Sequence, residues 1–136
     1  MNILVIDGQG GQLGSSIIKA AAERFPQVDI TAVGTNANAT AAMVKAGARK
    51  AATGENPVVV ASSKADIIVG PVGIVIADAL LGEITPKMAE AVGKSDAVRI
   101  LIPMNKCDSI IAGVPDVPVS AIIEDALKKL SAIIGK

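Results

Sequence analysis

One stretch near the start of the chain constrains the fold more than any other. Ile3-Leu4-Val5-Ile6, entered through Asn2, is a continuous apolar run; Asp7 ends it, and Gly8-Gln9-Gly10-Gly11-Gln12-Leu13-Gly14 follows. Apolar residues at consecutive positions are what a strand needs when both of its faces are covered, as in a parallel sheet. Ile17, Ile18, Ala21, Ala22 and Phe25 then recur at helical spacing, so a helix is expected over about 14–24, stopped before Pro26.

Between that strand and that helix, Gly8, Gly11 and Gly14 fit G-x-x-G-x-x-G, with Gly10 as an extra glycine. In such a loop one glycine makes the tight turn, the next lets the backbone approach a pyrophosphate, and the third lets the helix pack close to the sheet. Gly11 is the middle one. Free N–H groups at the start of the helix, helped by Ser15 and Ser16, would face the anion. Asp7, Gly8, Gln9, Gly10, Gly11 and Gly14 are therefore candidate ligand-binding residues. The alternative is a tight turn in which the glycines only pack, with Asp7 capping the loop.

The rest of the chain continues the alternation. A strand is expected over 28–33, a helix capped by Asn36 or Asn38 and ended by Gly47, a short strand over 50–52, and then either a helix over about 57–63 with Asn56 as cap or a strand at Val58-Val59-Val60. Then follow a strand at 67–69, an apolar helix to about Leu81, a helix begun by Thr85-Pro86 and ended at Gly93, a strand over 98–102 and a sixth strand over 109–112. A terminal helix over 118–134 carries Ala121, Ile122, Ala126, Leu130 and Ile133 as its buried stripe. No linker or low-complexity segment divides the chain, so 1–136 reads as a single domain. Strand and helix in turn imply right-handed crossovers and a parallel sheet covered on both faces. The fold class is α/β, a three-layer Rossmann-like doubly wound sheet of order 3-2-1-4-5 with a sixth strand beyond it.

In such sheets the ligand crevice lies beyond the carboxyl ends of the strands. Those ends read Gly34-Thr35-Asn36, Gly54-Glu55-Asn56, Gly70-Pro71-Val72-Gly73 and Pro103-Met104-Asn105-Lys106-Cys107, which adds Gly34, Thr35, Asn36, Gly70, Pro71, Gly73 and Asn105 to the candidates. The second strand lacks the acidic residue that bonds an NAD ribose; Thr35 or Asn36 can hold a hydroxyl, or the small residues leave room for a 2′-phosphate, with no arginine beside them. NAD and NADP both stay open as the cofactor. Asn105-Lys106-Cys107-Asp108 has the form of the guanine-reading N-K-x-D motif, but no Gly-Lys-Ser/Thr follows the glycines, which argues against a GTPase. Glu55 and Glu83 are the carboxylates best placed for acid-base work, or are solvated charges; Cys107 is expected mainly as a packed thiol, and Lys106 as a phosphate neighbour or a surface lysine.

Composition narrows the function classes. Thirteen basic and thirteen acidic residues cancel, and the single aromatic, Phe25, leaves nothing for bases to stack on, so nucleic acid is not an expected partner. There is no histidine, which excludes histidine-based triads and the common zinc sites, and the one cysteine cannot form an internal disulfide. No apolar run approaches the length of a membrane span and no signal peptide opens the chain, so a cytoplasmic protein is expected. A hydrophobic content of 51% is high for the surface of so small a monomer, which points to a homodimer.

The segments DGQGGQLG, GTNANAT, ATGENPVVV, KADIIVGPVGIVIADALLGEITPKMAEAV and ILIPMNKC together resemble a family of short bacterial proteins described as a domain of unknown function. That resemblance implies a nucleotide-binding-like fold and carries no reaction with it. The first loop is also similar to that of NAD(P)-binding Rossmann proteins, departing from them at the second-strand acidic position. The expected function is nucleotide or dinucleotide binding, as a sensor or accessory subunit. The rivals are a small oxidoreductase or transferase completed across a dimer interface, and a structural or partner-binding domain.

Overall fold

The first strand, β1 (Asn2–Asp7), sits in the middle of the molecule, because its apolar run has two faces to bury. Ile3 and Val5 point into one core and Leu4 and Ile6 into the other. The computed structural model describes residues 1–104 and 109–135. Around β1 stand β2 (Asp29–Gly34), β3 (Lys50–Thr53), β4 (Ile67–Pro71) and β5 (Val98–Ile102) in the order β3-β2-β1-β4-β5, every pairing parallel. This is the expected order, and its reversal of direction falls between β1 and β4, the position at which such sheets bind ligands.

Among the described residues, five helices cover the sheet. α1 (Gln12–Arg24), α2 (Ala37–Ala46) and α5 (Val119–Ile134) supply Ile17, Ile18, Met43, Leu127 and Leu130 to one core. α3 (Glu55–Lys64) and α4 (Pro86–Lys94) supply Val58, Met88 and Val92 to the other. Local chemistry sets the helix ends: Asn36 caps α2 by accepting from the Ala39 N–H, and Thr85 caps α4 by accepting from the Met88 N–H ahead of Pro86.

Five expectations change. The helix expected up to Leu81 is a single 3₁₀ turn, Val72–Val75, followed by tight turns, because its β-branched residues resist a helix and Asp78, Leu80 and Leu81 adopt positive φ. Ile74, Ala79, Leu80 and Ile84 still reach the core, so the apolar pattern is satisfied without helix. No strand forms over 109–112: Ile110 and Ile111 are too short a run before Gly113 and Pro115, and Ile110 is 95% exposed. α3 begins after Gly54 rather than at Asn56, and α4 runs past Gly93 to Lys94. The terminal helix buries Ala126, Leu127 and Leu130, with Ala121 exposed.

Candidate functional site

The site is built where β1 stops. Asp7 is 3% exposed, and its two carboxylate oxygens accept from the Gly8 N–H at 2.8 Å and the Gly14 N–H at 2.7 Å. One side chain thus ties the strand end to the first turn of α1. Burial raises the Asp7 pKa and outweighs the two N–H bonds that lower it, while the nearby Glu83 charge adds to the rise. Gly11 is the N-cap of α1, at φ 72°. Its N–H donates to the Gly8 carbonyl at 2.9 Å, and its own carbonyl accepts from the Ser15 N–H at 2.9 Å and the Ser15 hydroxyl at 2.6 Å.

Each glycine of the loop has a neighbour that explains it, except one. A β-carbon at Gly8 would lie 2.6 Å from Thr35 Oγ1 and 2.8 Å from Glu83 Oε1; at Gly11, 2.8 Å from the Ala39 Cα; at Gly14, 2.7 Å from Met43 Sδ. At Gly10 it would meet nothing within 4 Å. The N–H groups of Gly10, Gln12 and Leu13 have no hydrogen-bond partner among the described residues. Gln12 and Leu13 open α1, so their N–H groups point along the positive end of the helix, out of its first turn.

Beside the loop stands the end of β2. Thr35 donates its N–H to the Asp7 carbonyl at 3.0 Å, and the Asn36 amide nitrogen donates to the Gln9 carbonyl at 3.0 Å, which locks β2 to the glycine loop. Glu83 arrives from the far side, at the end of the turns that follow β4. Its Oε1 accepts from the Gln9 N–H at 2.9 Å, from Asn36 Nδ2 at 2.9 Å and from the Thr35 hydroxyl. Partial burial pushes the Glu83 pKa up, but these three donors outweigh it, and the group titrates below the usual glutamate range. Neither Asp7 nor Glu83 has an ion-pair partner among the described residues.

The fold therefore brings together Asp7, Gly8, Gln9, Gly11, Gly14, Thr35, Asn36 and Glu83. Gly34 lies under the start of α2, where a β-carbon would be 2.6 Å from the Thr40 N. Gly70 lets β4 pass close to β1, a β-carbon there falling 2.5 Å from the Ile6 carbonyl oxygen, while Pro71 and Gly73 shape the turn after β4. Glu55 is an exposed first-turn residue of α3 whose carboxylate makes no hydrogen bond or ion pair among the described residues. Asn105, Lys106 and Cys107 lie outside the described residues. The sequence marks Glu83 as an acid-base carboxylate or a solvated charge and does not place it beside Thr35, because 48 positions separate the two. Its one visible signal was a carboxylate inside an otherwise apolar stretch.

Two grooves lie elsewhere in the fold. One of about 630 Å³ runs along β5 and α5, beside Ile102, Val114, Ile122 and Ala126. Another of about 460 Å³ lies between β3 and α3, beside Lys50, Pro57 and Lys64. Neither is lined by a residue of the glycine loop. Among the described residues no cluster of metal-ligating side chains occurs, and no helix is long and apolar enough to cross a membrane.

A doubly wound parallel sheet, a glycine loop between its first strand and first helix, and polar side chains gathered at the ends of β1 and β2 define a Rossmann-like α/β protein. The chain belongs to the family described as Domain of unknown function (DUF3842), which matches residues 2–135. No curated protein matches it. Among solved structures it is similar to the dodecameric FMN-dependent Ubix-like decarboxylase from Escherichia coli O157:H7, with 18% sequence identity and a TM-score of 0.47 over 96% of this chain and 76% of that chain.

Proposed function

We propose that this protein binds a nucleotide, with the ligand's phosphate at the head of α1. The observation that carries this reading is the set of N–H groups of Gly10, Gln12 and Leu13, unpartnered among the described residues, with nothing within 4 Å of a β-carbon at Gly10. Backbone donors at a helix start suit an anion by dipole and by hydrogen bonding alike. Binding is favoured over catalysis: Asp7 is spent on the Gly8 and Gly14 N–H groups, and Glu83, held ionised at neutral pH, has no proton to donate. NAD or NADP is the narrower form of the proposal, and a sensor or accessory subunit the role that fits it.

A panel of NAD, NADP, their reduced forms, AMP, ATP, GTP and FMN in a melting assay tests it. A ligand at 100 times its Kd adds about 2.7 kcal/mol, which is a rise of roughly 9 °C for a domain of this length. Mass spectrometry of the natively purified protein would show a co-purified nucleotide. A panel that leaves the melting curve unmoved at millimolar concentration refutes the proposal.

The second reading, that the glycines serve packing, has its own support, since Gly11 and Gly14 are filled against Ala39 and Met43. It predicts an unmoved panel. Self-association, the homodimer expected from composition, is supported by the exposure of Val98, Ile110, Val114, Val117 and Val119, and sedimentation equilibrium tests it.

A further inference from the structure

We propose that Glu83 reads the sugar of the bound nucleotide, so that the ligand carries a ribose with a free 2′,3′-diol rather than a 2′-phosphate. This rests on the nucleotide-binding reading above and specifies its ligand.

In dinucleotide-binding folds an acidic residue at the end of the second strand accepts a hydrogen bond from a ribose hydroxyl. Here β2 ends Gly34-Thr35-Asn36, with no acid. The tertiary structure places one there from another part of the chain. The Glu83 carboxylate is bonded to both Thr35 and Asn36, the residues that follow β2, and to the Gln9 N–H of the glycine loop. Gly8 is what admits it, because a β-carbon at that position would lie 2.8 Å from Glu83 Oε1.

The two carboxylate oxygens are used differently. All three donors converge on Oε1, whereas Oε2 has no hydrogen-bond partner among the described residues. One oxygen anchors the side chain and the other is left to accept. Glu83 is part-buried and anionic, and no lysine or arginine pairs with it among the described residues. A hydroxyl donor completes such a group. A phosphate at the same place would meet like charge, with no cation paired to Glu83 among the described residues to offset it. The α1 amides and the Glu83 carboxylate thus divide the ligand, the amides taking the anionic part and the carboxylate the neutral hydroxyls.

Calorimetric titration of the intact protein and of Glu83→Gln with NAD and with NADP tests this. These probes differ by one 2′-phosphate. Glutamine keeps an oxygen for Gln9, Thr35 and Asn36 but turns the accepting oxygen into a donor, and a circular dichroism melt confirms that the variant is folded. The expected result is at least tenfold tighter binding of NAD than NADP by the parent, and a loss of about tenfold or more in NAD affinity in Glu83→Gln, the scale of a hydrogen bond to a charged group. Equal binding of NAD and NADP, or unchanged NAD affinity in the variant, overturns the assignment and leaves nucleotide binding standing. Tighter binding by Glu83→Gln also overturns it, since Glu83 would then be a plug over the loop. A parent that binds FMN but neither dinucleotide overturns the ribose assignment alone, and one that binds no nucleotide overturns both.

Discussion

Replacing Gly11 by alanine should destabilise the protein strongly, whereas the same change at Gly10 should leave it unmoved. At Gly11 the backbone holds φ 72°, and a β-carbon there would lie 2.8 Å from both the Cα and the carbonyl oxygen of Ala39. Left-handed backbone costs an alanine roughly 1–2 kcal/mol. Forcing α2 away from α1 adds roughly 1–3 kcal/mol, the usual scale for overpacking against atoms that cannot rotate aside. The sum is about 2–5 kcal/mol. For 136 residues the unfolding entropy is about 0.29 kcal/mol per degree, so the melting temperature should fall by about 7–17 °C. Gly10 has neither constraint, since nothing lies within 4 Å and its φ is not positive, and Gly10→Ala should shift the midpoint by less than about 2 °C. The assay is a circular dichroism melt, because the chain has no Trp. A Gly11→Ala protein melting within about 2 °C of the parent, or a Gly10→Ala protein falling equally far, would refute the argument that α2 packing requires Gly11.

Leu81 is 96% exposed at φ 57°, so Leu81→Gly should relieve left-handed strain and raise the melting temperature by about 2–4 °C, net of the added chain entropy; a fall would show that the Leu81 backbone is not strained. Leu80 is 2% exposed within the α3–α4 core, and Leu80→Ala should cost about 2–5 kcal/mol by denaturant melt; a cost below about 1 kcal/mol would mean that the turns after β4 are not docked. Asp7 and Glu83 should act on pH stability in opposite senses. With its pKa raised by burial, Asp7 contributes stability that is present below the ordinary aspartate range and is lost as pH rises through the raised value. With its pKa lowered by its hydrogen bonds, Glu83 contributes stability that is present above the ordinary glutamate range and is lost as pH falls through the lowered value. Melting temperature against pH for Asp7→Asn and Glu83→Gln should therefore diverge from the parent at opposite ends of the acid range, and parallel curves would show that neither group is perturbed.

Strand order and layering were legible in the chain's patterns, because each segment carries its own apolar periodicity. A doubly apolar run reads as a sheet interior, helical spacing as a helix face, and their alternation as a parallel sheet of order β3-β2-β1-β4-β5, which holds although the sixth strand expected over 109–112 does not form. Thr85 was likewise legible as a helix start, and Asn36 as one of two with Asn38, since a cap acts over three residues. Tertiary structure alone decided what the apolar stretch after β4 becomes. Its apolar run reads as a helix, but burying Ile74, Leu80 and Ile84 against the sheet while holding Glu83 on Thr35, Asn36 and Gln9 goes with turns of positive φ at Asp78, Leu80 and Leu81. The site followed the same division. Asp7 and the glycines were visible as a contiguous motif, whereas the carboxylate beside β2 was not, because it reaches Gln9 across 74 positions and no local spacing encodes a contact that only the folded chain makes.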